Sequence, residues 1–172
     1  AKEISLLSIM TVLSVLSRII FAEIPSFKPV TAMIIITAIS FGAEAGFMTG
    51  SLSAFISNIY FGQGPWTPFQ MLAWGLSGLL AGLLAKTGLM KNKFILYAYG
   101  AVSGLLFSLL MDIWTVFSIE NAFSFSRYIA LVTVSLPYTA VYSISNVVFL
   151  VFLEKPIGSK LQRIKTKYGL FR

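Results

Sequence analysis

The sequence predicts an all-α membrane protein that folds as one domain of six transmembrane helices over residues 1–172. Of the 172 residues, 57% are hydrophobic and 11% are charged, whereas a soluble domain carries about 25% charged residues. The mean hydropathy is +0.86. Because a spanning helix needs about 20 residues, the chain has room for about six of them and for no separate soluble domain.

Prolines, glycines and polar clusters divide the chain into apolar segments, because these residues interrupt helices. We expect the six helices at Ile4–Ala22, Val30–Phe41, Phe47–Phe61, Phe69–Ala85, Phe94–Ser118 and Tyr128–Leu153. The second is short, and an extension to Gly46 would lengthen it. A basic linker separates the fourth and fifth helices, and Pro137 either kinks the sixth helix or marks its beginning.

Basic residues predict how the helices are oriented in the membrane. Ten of the thirteen lysines and arginines fall on one side of a six-helix arrangement, and these are Lys2, Lys86, Lys91, Lys93, Lys155, Lys160, Arg163, Lys165, Lys167 and Arg172. Lys28 and Arg127 fall on the opposite side, and Arg18 lies within the first helix. Because basic residues stay in the cytoplasm, both termini are predicted to be cytoplasmic, and the loops after the first, third and fifth helices face outward.

The basic cytoplasmic tail, residues 155–172, is predicted to form a helix of its own. Ile157, Leu161, Ile164 and Tyr168 recur at helical spacing, and basic residues occupy positions between them. This pattern favours a helix that lies on anionic lipid headgroups. Docking onto a partner protein is the alternative.

Small residues recur every three or four positions in three of the predicted helices, which is typical of close helix packing in membranes. They are Gly46, Gly50 and Ala54 in the third helix, Gly75, Gly78 and Gly82 in the fourth, and Gly100, Gly104 and Ser108 in the fifth. We expect these positions to make helix contacts rather than ligand contacts.

The first candidate binding site is the stretch FGQGPWTPFQMLAWG, residues 61–75. Its glycines and prolines forbid a continuous helix and predict a tight loop between two helices. The stretch carries amide, hydroxyl and aromatic groups, at Gln63, Trp66, Thr67, Gln70 and Trp74. These groups suit an organic solute, since rings supply contact area and amides fix orientation. A membrane-interface turn anchored by tryptophan is the alternative.

Polar and aromatic side chains inside the predicted helices form a second group of candidates, because such groups are costly in a membrane unless they are paired. The group comprises Arg18, Asn58, Asp112, Trp114, Tyr138, Tyr142 and Asn146. Arg18, Asn58 and Asp112 lie at similar depth on different helices, so they can converge on an outward pocket. A plain ion pair between Arg18 and Asp112 is the alternative.

Several classes of chemistry are excluded by what the sequence lacks. It has no cysteine and no histidine, which excludes disulfides, thiolate nucleophiles and zinc or haem held by imidazole. No Walker loop and no metal-ligand spacing occur. We therefore expect no catalytic residues, no cofactor, no metal and no nucleic-acid partner.

The chain resembles the substrate-binding S components of energy-coupling factor (ECF) vitamin transporters. The resemblance covers nearly the whole chain and is most specific in FGAEAGFMTGSLSAFISNIYFGQGPWTPFQMLAWG, residues 41–75, and LLMDIWTVFS, residues 109–118. It implies a compact six-helix bundle in the cell membrane, with an outward pocket closed by the loops after the first and third helices. It also implies three partners, namely a transmembrane coupling subunit and two ATPases. The subgroup that it resembles is associated with corrinoids.

One feature departs from the family pattern, and two other functions stay open. Members often carry Ala-x-x-x-Ala in the first helix to seat the coupling subunit, whereas this chain has the small hydroxyl residues Ser8, Thr11 and Ser14 there. A self-contained secondary carrier or channel acting as an oligomer is the main alternative. A membrane enzyme is the other, and its available carboxylates are Glu23, Glu44, Asp112 and Glu120.

Overall fold

A computed structural model describes residues 2–171 and shows an all-α bundle, as the sequence predicts. Its helices are α1 (Lys2–Ile20), α2 (Val30–Phe41), α3 (Ala43–Phe61), α4 (Thr67–Lys86), α5 (Lys93–Glu120) and α6 (Phe125–Tyr168). A single 3₁₀ turn at Leu89–Lys91 lies between α4 and α5, and residues 2–171 contain no strand.

Successive helices alternate in direction, so the bundle has two distinct ends. We call one the loop end, because it holds the connections 21–29, 62–66 and 121–124. The other is the terminal end, where the first and last described residues meet: the Phe171 amide donates to the Glu3 carboxylate, and Lys165 Nζ donates to the Ser40 carbonyl over 3.0 Å.

The short helix α2 lies at the centre of the bundle, where it packs against α1, α3, α4 and α6. Its 12 residues give it a length of about 18 Å, because each residue rises 1.5 Å. All of them except Ile39 are buried. The extension to Gly46 is wrong, since Gly42 turns the chain with a φ of 102° and α3 begins at Ala43.

Four helices, α1, α4, α5 and α6, are long and apolar enough to cross a membrane. The central helix α2 is shorter than a span, since a bilayer core is about 30 Å thick. Helix α3 is not among these four candidates, and its buried residues include five serine, threonine and asparagine side chains. Six helices are therefore confirmed, and six membrane crossings stay a prediction.

The last helix, α6, is 44 residues long and includes the basic tail as far as Tyr168. It continues through Pro137, so this proline does not mark its beginning. The lipid interpretation of the tail is wrong for three of its apolar side chains. Leu161 is buried, and Ile157 and Ile164 pack against the same apolar core, which includes residues of α1 and α2. The protein itself covers this face, and Tyr168 remains 49% exposed.

The hydroxyl residues of α1 do not form an outward face. Thr11 and Ser14 are buried, and Ser14 Oγ lies 3.5 Å from the Val30 carbonyl of α2. Ser8 is exposed and bonds to its own helix, at the Ile4 carbonyl. Thr11 and Ser14 therefore do not replace the family's alanines as a docking surface, because they face the inside of the bundle.

Glycines bring the backbones of α3 and α4 into direct contact, as the small-residue pattern predicts. A Cβ atom placed on Gly78 would lie 2.2 Å from the Gly46 carbonyl oxygen, and one on Gly50 would lie 2.3 Å from the Trp74 carbonyl oxygen. Real Cβ atoms do not approach this closely, so no larger residue fits without separating the helices. The two helices that flank the central loop are thus locked together along their length.

Gly78→Val is expected to destabilise the bundle by at least about 1–3 kcal/mol, the range typical of overpacking, because the new side chain meets fixed backbone. The thermal midpoint of the protein in detergent, followed by size-exclusion chromatography, measures this. Gly158→Ala is the control, since a Cβ there has only Glu154 Oε1 within reach, at 3.8 Å, and alanine is the better helix former. Equal midpoints for the two variants would contradict the contact.

The charge distribution predicts that the terminal end faces the cytoplasm. Because the chain has no cysteine, single cysteines can report each end separately. Lys91→Cys and Lys160→Cys, both at exposed positions, are expected to react with an impermeant maleimide only after the cells are opened. Ala122→Cys, in the exposed loop between α5 and α6, is expected to react in intact cells. The reverse pattern would overturn the orientation.

Candidate functional site

A cavity of about 270 Å³ opens at the loop end of the bundle. Its lining side chains come from α1, α2, α4, α5, α6 and the 21–29 loop. They are Arg18, Ser26, Lys28, Val30, Gln70, Trp74, Phe107, Ser108, Met111, Asp112, Ser135, Tyr138, Thr139 and Tyr142. The set combines rings, hydroxyls, one amide and three charged groups, which is the composition expected of a site for a polar organic molecule.

Arg18 is fixed at one wall of this cavity by contacts on two of its sides. Its Nη1 donates to Ser57 Oγ and, over 2.8 Å, to Asn58 Oδ1. Its guanidinium lies 4.4 Å from the ring centre of Phe61 and 5.0 Å from that of Trp74. Cation–π contacts of this kind stabilise a positive charge away from water. The charge is therefore held in place without a carboxylate.

Asn58 lies behind the wall rather than on it, and it connects the wall to the central loop. Its Nδ2 donates to Gln70 Oε1 over 2.7 Å and to Thr67 Oγ1 over 3.0 Å. Thr67 in turn donates to Gln63 Oε1 over 3.0 Å. Together with its bond to Arg18, Asn58 fixes side chains from α1 and α4, so it positions the site from a distance.

Aromatic side chains form a second wall of the cavity. The rings of Trp74 and Phe107 are stacked with their centres 5.2 Å apart, and Tyr142 meets Phe107 edge-on at 5.3 Å. Trp74 Nε1 donates to the Tyr142 hydroxyl over 2.8 Å, and Thr31 shares a further hydrogen bond with that hydroxyl. Because these polar tips are already satisfied, this wall offers aromatic surface rather than hydrogen-bonding groups to a ligand.

Asp112 lies on the opposite side of the cavity, where its Oδ2 accepts a hydrogen bond from Ser135 Oγ over 2.9 Å. Within residues 2–171, ion pairs join Lys93 to Glu154 and Arg127 to Glu120. The predicted ion pair between Arg18 and Asp112 is therefore wrong. Arg18 takes neutral partners on α3 instead, and Asp112 takes a hydroxyl on α6.

Lys28, which the sequence analysis did not select, also lines the cavity. Its backbone N–H donates to Ser145 Oγ over 2.9 Å, and the same hydroxyl donates to the Lys28 carbonyl over 3.2 Å. Its ammonium lies 5.0 Å from the ring centre of Phe61. Burial and the neighbouring charge of Arg18 lower the pKa of the Lys28 ammonium below its usual value.

The structure brings together half of the residues that the sequence selected. Arg18, Gln70, Trp74, Asp112, Tyr138 and Tyr142 line the cavity. Asn58 and Thr67 lie in the layer behind it. Gln63 and Trp66 stay in the exposed part of the central loop, where Gln63 Nε2 bonds to the Phe55 carbonyl. Trp114 packs on Phe69, and Asn146 donates to the Gly100 carbonyl within the α5–α6 contact.

One signal in the sequence points to a wall residue outside the predicted set. Ser108 precedes Asp112 by four residues, so the two share a helical face. Phe107 and Met111 precede it by five and one, spacings that do not place them on that face. Lys28 lies among prolines in a predicted outward loop, and a loop has no periodic pattern that indicates which of its positions are buried. Helical spacing therefore indicates Ser108, whereas nothing in the local sequence indicates the burial of Lys28.

A larger cavity of about 540 Å³ lies at the terminal end, around the junction of α2 and α3. It is lined mainly by small residues and backbone at positions 38–43, with Lys86, Lys165 and Glu44 at its edge. One stacked ring pair, Phe41 and Phe171, lines it, but among the described residues it lacks the buried side-chain hydrogen-bond network of the loop-end cavity. Within residues 2–171, no group of side chains has the composition of a metal site. The loop-end cavity is therefore the candidate binding site.

Residues 1–163 match the family described as ECF-type riboflavin transporter, S component. The chain therefore belongs to this family of integral membrane proteins. An S component is the substrate-capture subunit of an ECF transporter, which binds a vitamin and works with a transmembrane coupling component and ATPases. No curated protein and no solved structure shows a significant match to the chain.

Asn58→Leu is expected to lower both the stability of the protein and its affinity for ligand. The substitution leaves Gln70 Oε1 without its partner, at about 1–3 kcal/mol for a buried group, and it removes one of the partners of Arg18 and of Thr67. Asn146→Leu is the matched control, since Asn146 is also fully buried but lies away from the cavity. Thermal midpoints and titration calorimetry measure the two effects. A normal affinity in folded Asn58→Leu would contradict the positioning role.

Proposed function

We propose that this S component captures a flat, ring-bearing vitamin in the loop-end cavity, from outside the cell. The observation that supports this most strongly is the wall formed by Trp74, Phe107 and Tyr142, three rings that line the cavity and whose polar tips are bonded. A ring of the ligand can pack against such rings with the ring centres about 4.5–7 Å apart. Gln70, Asp112 and Ser135 supply the polar groups that fix the orientation of the ligand.

Riboflavin is the first ligand to test, because the family description names it and its ring system is flat. The corrinoid expected from the sequence gains no support from that description. The cavity of about 270 Å³ also lies near the lower end of the range for drug-sized ligands, which is about 300–1,000 Å³. A corrin ring with its side chains is much larger than that.

According to this proposal, the bundle passes its substrate to partner subunits, which move it across the membrane. The transmembrane coupling component binds near the terminal end, and two separate ATPases supply the energy. The basic residues at that end support a cytoplasmic position for it. A self-contained carrier is supported less well, since Asp112 is the one carboxylate among residues 2–171 that lines the cavity.

The proposal predicts that Trp74→Ala raises the dissociation constant for riboflavin at least about tenfold, or about 1.4 kcal/mol. The reason is that the substitution removes the ring against which the ligand stacks. Trp74→Phe keeps a ring in place and is expected to lose less. Riboflavin binding to purified protein, followed by flavin fluorescence, and uptake by cells that also express the coupling component and ATPases measure these effects.

Trp66→Ala is the matched control, because Trp66 is exposed and does not line the cavity. The pocket interpretation of the central loop predicts a large effect at Trp66, and its interface-turn alternative predicts a small one. The position of Trp66 outside the cavity supports nearly normal binding. If Trp66→Ala abolished binding and Trp74→Ala did not, the site would lie in the exposed loop. If the unaltered protein retained no vitamin and supported no uptake, the proposed function would be refuted.

A further inference from the structure

Two positively charged side chains, Arg18 and Lys28, line the loop-end cavity. The Arg18 guanidinium and the Lys28 ammonium lie 4.4 and 5.0 Å from the centre of the same ring, that of Phe61. Within residues 2–171, neither of them is in an ion pair. Like charges repel more strongly in a protein wall than in water, because the surroundings are less polarisable. An arrangement of this kind is costly unless a negative group joins it.

The carboxylates of the loop end do not supply that negative group. Glu120 is paired with Arg127, and Asp112 accepts its hydrogen bond from Ser135. Glu23 is exposed in the 21–29 loop, and it is not among the cavity-lining residues. The cavity thus holds two cations, Arg18 and Lys28, and within residues 2–171 the carboxylate that lines it, Asp112, forms an ion pair with neither of them.

Both cations are held in position before any ligand arrives. The bonds from Arg18 to Ser57 and Asn58 occupy one nitrogen of its guanidinium, Nη1. The remaining N–H groups are free to form the planar, two-pronged contact that carboxylates and phosphates accept. The backbone of Lys28 is fixed by the two hydrogen bonds of Ser145. Preorganised donors of this kind lower the ordering cost of binding a charged group.

We propose, on the basis of the function proposed above, that the substrate carries an anionic group, a carboxylate or a phosphate, which binds between Arg18 and Lys28. The ring system of the substrate then lies along Trp74 and Phe107. Asp112 and Ser135, on the far side, accept or donate hydrogen bonds to polar groups at the other end of the substrate. The site therefore selects anionic vitamins over neutral ones of the same shape.

The test uses vitamins as pairs that differ in one charged group. The pairs are riboflavin 5′-phosphate and riboflavin, nicotinate and nicotinamide, pantothenate and pantothenol, and biotin and its primary amide. Titration calorimetry on the full-length protein in detergent measures each affinity. The anionic member of the bound pair is expected to bind at least about tenfold more tightly, as for a hydrogen bond to a charged group. Equal or tighter binding of the neutral member would overturn the inference.

Lys28→Gln is the decisive variant, because the Lys28 side chain makes no hydrogen bond that holds helices together, whereas Arg18 ties α1 to α3. It is expected to remove most of the preference for the anion, while Lys28→Arg retains it. Arg127→Gln removes a cation from the same end, where it is paired and exposed, and is expected to leave the preference unchanged. An unchanged preference in Lys28→Gln would contradict the proposed anion site.

The two proposals fail in different ways. If the protein captures a neutral vitamin with an affinity that depends on Trp74 and not on Lys28, the proposed function stands and the anionic class is wrong. If no vitamin of either charge binds to the protein or copurifies with it, the proposed function is itself refuted, and the anion site with it.

Discussion

The contact between the backbones of α3 and α4 is the constraint on which the site depends. Gly46, Gly50 and Gly78 let the two helices approach until carbonyl oxygens occupy the space of missing side chains. This close packing holds the ends of both helices together across the short central loop. Asn58 near the end of α3 can therefore reach Gln70 at the start of α4. In a membrane, where water does not drive helices together, this kind of packing is a main source of association.

The burial of α2 explains how so small a protein encloses a polar cavity. Because α2 is short and begins at Val30, the space above its first turn is left to Arg18, Lys28 and Tyr142. Thr31 on that turn bonds to Tyr142, which bonds to Trp74. One turn of α2 thus links rings from α4 and α6, and it forms the floor of the cavity.

Local chemistry in the sequence predicts most of the fold, because apolar length and the placement of proline and glycine depend on neighbouring residues alone. It predicts the helix contacts of Gly46 and Gly78, and it selects Arg18, Trp74 and Asp112, which line the cavity. The pairing of these groups depends on which helices become neighbours in three dimensions. The arrangement of neighbouring helices determines that Arg18 bonds to Asn58 and not to Asp112. It likewise decides that the face of α6 around Leu161 is covered by protein and not by lipid.

The hydroxyl of Ser145 has a consequence for the speed of exchange at the site. It both donates to and accepts from the backbone of Lys28, and in this way it fastens the 21–29 loop to α6. If a bound molecule leaves the cavity past this loop, both hydrogen bonds of Ser145 have to open first. Under the proposed function, this fastening is expected to slow dissociation and so to retain a captured molecule until the partner subunits engage.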